Sequence, residues 1–115
     1  MVAVEFALVI PILLVTLFTI VAAGSVYIDQ LHLQQVARDA ARAAAVNPDS
    51  ACPTATAELT GNNLGTVTCE LVRRCGTNPS DTTQVRLRSV QTLSMPVIGD
   101  RTVSLTASST FICPP

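Results

Sequence analysis

From Phe6 to Ile28 the chain runs 23 residues without a formal charge, bounded by Glu5 and Asp29. No other feature limits the fold so strongly. A helix rises 1.5 Å per residue, so this stretch spans about 35 Å, enough for a bilayer core of about 30 Å. It reads as a membrane helix, or as a helix buried in equally apolar surroundings. The segment also accounts for the overall balance of 49% hydrophobic and 13% charged residues, against roughly 25% charged in an ordinary soluble domain. A cleavable secretory signal is the competing explanation, but it needs a basic leading region and a shorter apolar core. No Arg or Lys precedes Phe6, and the helical pattern continues well past Ile28.

That continuation is amphipathic. Leu33, Val36, Ala37, Ala40, Ala41 and Ala44 recur at helical spacing and form one apolar stripe, with Gln34, Gln35, Arg38, Asp39 and Arg42 on the other side. A stripe built of alanines implies a close partner, either the chain's own head or another subunit's helix. Pro48 biases Asn47 out of the helical region, so the helix is expected to stop there. A continuous helix over 1–46 is about 69 Å long, far more than a membrane needs. The expected division gives 1–47 to the helix, apolar over 1–28 and amphipathic over 29–47, and 48–115 to a small extracytoplasmic head.

In the head, a short helix is expected over about Pro53 to Leu59, ended by Gly61-Asn62-Asn63. Strand signals follow. Val67, Cys69 and Leu71 alternate with polar neighbours, as do Val85 and Leu87, and then Val103, Leu105, Ala107 and Phe111. Gly76-Thr77-Asn78-Pro79-Ser80-Asp81 and Gly99-Asp100 supply turns. The expected fold is α+β: a long N-terminal helix, then a meander of about three antiparallel strands with one face packed on that helix. A head this small needs staples. Cys52, Cys69, Cys75 and Cys113 all follow the apolar segment, and an even count suggests two disulfides in an oxidising compartment. Four free buried thiols are the alternative. Four cysteines allow three pairings and sequence does not choose among them. Cys52–Cys113 with Cys69–Cys75 is the expectation adopted, because the first bridge would pin the chain's end to the start of the head.

Glu5 and Pro11 are the unusual residues of the apolar end. A carboxylate costs free energy as it enters an apolar helix. Glu5 either snorkels at the interface or pairs with a cation, the nearest candidate being an α-amino group at Met1, its own or a neighbour's. Pro11 removes a backbone donor and crowds the Ala7 carbonyl, which membrane helices tolerate, usually with a kink.

Met1-Val2-Ala3-Val4-Glu5-Phe6-Ala7-Leu8-Val9-Ile10-Pro11 resembles the start of a mature TadE-like pilin of the Tad (Flp) pilus class, whose pattern is V-E-F-A-L-hydrophobic-x-P followed by an apolar stretch. The likeness continues through the Ala-Arg-Asp-Ala-Ala-Arg run and is weak in the head, at Leu93-Ser94-Met95-Pro96 and Leu105-Thr106-Ala107-Ser108-Ser109. The four cysteines are not a general feature of the family. In type IV pilins and their relatives a prepilin peptidase leaves Glu at mature position five. The resemblance therefore implies that Met1 is a processed N-terminus, with a basic leader already removed. It also implies assembly through Met1, Glu5, Phe6 and Pro11. The implied partners are like subunits in a helical filament, other pilins, the pilus assembly machinery, the prepilin peptidase and, before assembly, the cytoplasmic membrane. The implied destination is the cell surface.

Catalytic and cofactor signals are missing. His32 is a single histidine with no partner at metal-site spacing, Cys69-x5-Cys75 is neither a zinc pair nor a redox C-x-x-C, and no phosphate loop or nucleophile elbow is present. The net charge of −1, with the arginines scattered among acids, gives no stripe for nucleic acid. No cofactor, metal or enzyme activity is expected. Three functions stand open: a structural pilus subunit, a minor pilin that primes or caps the pilus, and a single-pass anchored binding domain.

Overall fold

The computed structural model describes residues 1–61, 64–78, 80–95 and 98–114. Asn62, Asn63, Pro79 and Pro96, which belong to the turns and the Leu93–Pro96 motif named above, lie outside the described residues.

Helix α1 (Val2–Val46) is unbroken over 45 residues and passes through Pro11. Its length of about 68 Å sets the shape of the molecule, 77 × 23 × 18 Å. The end is built locally. Asn47 turns extended (φ −144°, ψ 110°) ahead of Pro48, while its N–H still donates to the Ala43 carbonyl at 2.9 Å. The Asn47 side chain accepts from the Asp49 N–H, and Ser50 Oγ donates to the Ala43 and Asn47 carbonyls at the frayed end of the helix. A 3-10 turn (Pro48–Ser50) leads into α2 (Ala51–Leu59). Helix α2 starts two residues before the expected Pro53, because proline is tolerated in a first turn where its N–H has no helical partner anyway.

The sheet holds β1 (Thr66–Arg73), β2 (Thr82–Met95) and β3 (Gly99–Ile112), antiparallel in the order β1-β2-β3. This is the expected meander, but β2 and β3 are longer than the alternation alone indicates. They pair without interruption from Thr82↔Ile112 to Met95↔Gly99. Strand β1 covers β2 only between Thr66↔Val90 and Arg73↔Gln84, so, among the described residues, 91–95 pair with a strand on the β3 side alone.

One face of the sheet lies on α1. Val85, Leu87, Leu105 and Ala107 pack against Leu33, Val36, Ala37, Ala40, Ala41 and Ala44, with Ala51 and Ala55 of α2 closing the edge. Thus the alanine stripe is covered by the chain's own head. Small side chains let the sheet come close to the helix axis. Gln30 fixes the axial position, its Nε2 donating to the Thr106 carbonyl at 3.0 Å. Phe111 departs from the expected buried alternation. It lies near the end of β3 and is exposed, although its cross-strand partner Thr83 is buried.

Two disulfides staple the head, but not in the expected pairing. Cys52 joins Cys69 and Cys75 joins Cys113, with Cα separations of 5.7 and 5.8 Å. The reason is topological. Cys69 sits inside β1 and Cys75 beyond its end, so six residues of nearly extended chain hold them about 20 Å apart, against the 4.4–6.8 Å that a bridge needs. Cys52, in the first turn of α2, faces β1 instead. Cys113 follows the end of β3 beside the start of β2, next to where β1 exits, and its N–H donates to the Asp81 carbonyl.

Candidate assembly surface

The surface with most to say about function is the half of α1 that the head does not cover. Nearly all of residues 1–28 are exposed, including Phe6 at 65%, Phe18 at 55% and Ile20 at 69%. By length and composition α1 can cross a membrane, and none of its most apolar window is buried. Its few hydroxyls are turned inward. Thr16, Thr19 and Ser25 each donate to a carbonyl three or four residues back, at 2.8 Å. The surface offered outward is therefore hydrocarbon from Phe6 to Val26, with Tyr27 at the polar boundary, a position suited to an interfacial aromatic.

Met1 is the N-cap of α1 and Glu5 is the acid of its first turn. A carboxylate there complements the positive end of the helix dipole. Among the described residues the Glu5 side chain has no ion-pair or hydrogen-bond partner within the chain. Met1, Glu5 and Phe6 are exposed together at the tip of the rod, while Pro11 lies further along.

A second feature was missed at the sequence level. The distal end of the β2–β3 hairpin does not stay with the head but runs back along the apolar half of α1. Leu93, Ser94, Met95 and Ile98 on the hairpin face Pro11, Leu14, Phe18 and Ala22 on the helix across an open groove of about 640 Å³. The signal was present. Leu93 and Met95 continue the two-residue period of Val85, Leu87, Ser89 and Gln91. Gln91, where the hairpin leaves the core, is buried with its Nε2 unpaired.

A single helix that is bare and apolar at one end and carries a stapled sheet along the other defines a class of protein, in which one rod serves both as apolar anchor and as spine of a head. Residues 1–42 match the family model described as TadE-like protein. Over that N-terminal segment the chain is similar to TadE-like proteins. The match ends inside α1, and the head lies outside it. No curated protein and no solved structure matches the chain.

Proposed function

We propose that this protein is a structural subunit of a Tad-type pilus, held in the cytoplasmic membrane by α1 and then assembled into a surface filament through that same helix. The observation that carries the reading is the division of α1. Its C-terminal half is covered by the chain's own head, while its N-terminal half, apolar apart from Glu5, stays exposed among the described residues, with only the distal hairpin across an open groove from it. In the membrane, lipid covers it. In a filament, neighbouring helices do. Residues 1–28 act as the assembly segment, 29–47 as the spine and 48–115 as the extracytoplasmic head. Glu5 pairs with the amine of a neighbour's Met1 once the chain is processed to begin there. The pairing fixes axial register, because a misplaced subunit leaves a charge unpaired among apolar side chains.

The test is the abundance of the chain in filaments sheared from its native cells, read with the intact mass. A dominant species starting at Met1 supports the subunit reading. A trace species of the same form makes it a minor pilin that primes or caps the pilus. Absence from filaments, with a leader-bearing form in the membrane, replaces it with an anchored binding domain.

A further inference from the structure

We propose that the free edge of β3, from Thr102 to Ile112, takes up an extended segment of a different polypeptide as a fourth strand, and that the Tyr27–Gln34 flank of α1 is the shelf on which that strand rests.

The argument begins with where the backbone groups of β3 point. Facing residues of an antiparallel pair alternate between exchanging hydrogen bonds with each other and turning their N–H and C=O away. Three contacts fix the phase. The Thr106 carbonyl accepts from Gln30 Nε2. The carbonyl of Arg88, opposite Thr106, accepts from Thr68 Oγ on the β1 side. At the odd position 113, the Cys113 N–H donates to the Asp81 carbonyl, on the β2 side. The even residues Thr102, Ser104, Thr106, Ser108 and Thr110 therefore carry their donors and acceptors on the free edge, about 7 Å apart. No strand among the described residues pairs with them.

The two edges of the sheet are built differently. Strand β1 is short, carries Glu70 and Arg73, shifts register between Leu71 and Arg73, and is tied to α2 through Cys52–Cys69. Shortness, charge, a bulge and cover are the devices that keep an edge from pairing. From Thr102 to Ile112, β3 offers about 37 Å of strand with no charge, no proline and no shift of register against β2. An edge of that kind is a template for another strand.

The chemistry beside the edge describes the occupant. Tyr27, Gln30, Leu31 and Gln34 follow the i, i+3, i+4, i+7 spacing of one helix flank, and the Gln30 hydrogen bond shows that this flank meets β3. Tyr27 is 64% and Leu31 52% exposed. A fourth strand lays every second side chain over this shelf, and those positions are apolar. Its other side chains continue the outer face of β3, which is hydroxyl-bearing at Ser104, Thr106 and Ser108, so they are small and polar. The strand takes over the Thr106 carbonyl from Gln30. A second copy does not fit. Strand β3 runs alongside α1 in the same direction, since Thr106 is level with Gln30 while Cys75, bridged to Cys113, lies 3.9 Å from the Ala45 carbonyl. Two β3 edges paired antiparallel about a two-fold axis would point their apolar helix halves in opposite directions, which one membrane does not allow. The β1 edge of another copy has the protections just described.

The experiment uses the full, isotope-labelled chain in detergent micelles with both disulfides closed. The probe is a capped peptide of about ten residues, alternating valine and threonine between terminal lysines, long enough to span Ser104 to Thr110. Amide hydrogen exchange is followed by NMR. With peptide bound, the amides of Ser104, Thr106, Ser108 and Thr110 are expected to slow at least tenfold, while those of Leu105 and Ala107, already in the β2 ladder, stay unchanged. Ser108→Pro removes one outward donor and no ladder bond, and it should weaken the peptide at least tenfold with the circular-dichroism melt and the non-reducing mass retained. No protection of the even amides at about 1 mM peptide, or protection of β1 instead, overturns the proposal. Protection of the same amides without peptide, growing with protein concentration, also overturns it, because a second copy is then the occupant. The measurement involves no filament, so its failure leaves the pilus reading standing.

Discussion

Gly65 shows how a single position locks the head. Its φ is +68°, and an added Cβ would collide with the Val90 carbonyl oxygen. The segment before β1 can approach β2 only as bare backbone, where Ser89 Oγ donates to the Leu64 carbonyl. Gly65→Ala combines a strained backbone with this clash and is expected to destabilise the head by more than about 1 kcal/mol, measured by urea denaturation in detergent. Glu5 makes the opposite kind of case, a residue the fold does not use. Glu5→Val removes no contact within the chain and is expected to leave membrane insertion and both disulfides unchanged. Filament yield should fall at least tenfold. Normal yield on sheared-filament immunoblots would remove the carboxylate from the assembly mechanism. Glu5 was visible in the sequence because a charge beside 23 uncharged residues needs no structure to be noticed. Gly65 was not, since its role depends on Val90 of a different strand.

At the scale of elements, the same division between local and distant holds. The helix, its alanine stripe and the three strands are written in short periodicities, and these were legible. The disulfide pairing was not, because it depends on which strand ends share one end of the sheet. The reach of the hairpin was missed for a similar reason: Leu93 and Met95 face a helix far earlier in the chain. The observed bridges carry their own prediction. In the chain-entropy account, closing loops with separations of 17 and 38 residues stabilises by about 3 and about 4 kcal/mol. Replacing Cys75 and Cys113 with Ser should therefore lower the melting temperature more than replacing Cys52 and Cys69, by the equivalent of under about 1 kcal/mol. Peptide mapping without reduction should return the linked pairs Cys52–Cys69 and Cys75–Cys113. The alanine stripe has a comparable test. Ala40 is fully buried where α1 meets the sheet, so Ala40→Leu forces the layers apart and is expected to cost about 1–3 kcal/mol, seen as an earlier circular-dichroism melt.

At the scale of the whole molecule, two requirements on α1 conflict. A bilayer needs about 20 residues of helix in contact with lipid, and the distal hairpin lies across a large share of that same length. Both cannot be met at once, since the hairpin's open edges exclude it from hydrocarbon. What can yield is the distal hairpin itself, because beyond the Gln91–Val103 pair it has, among the described residues, neither β1 nor the buried core to hold it. Residues 84–90, clamped between β1 and β3 over the alanine stripe, stay in place. While α1 is in the membrane, the distal hairpin should therefore stand off the helix in the aqueous phase, and it should close onto the helix when the subunit leaves the bilayer. The measurement is alkylation of an Ile98→Cys variant by a membrane-impermeant maleimide, with the four native cysteines held in their bridges. In spheroplasts carrying the unassembled subunit, labelling is expected to be near complete. In sheared filaments it should drop at least tenfold, on the proposal that neighbouring helices then cover that face of α1. Equal protection in both states would mean that the hairpin keeps its place at membrane depth. The apolar length available to lipid would then be the short stretch below the tip, and the bilayer would have to thin around it.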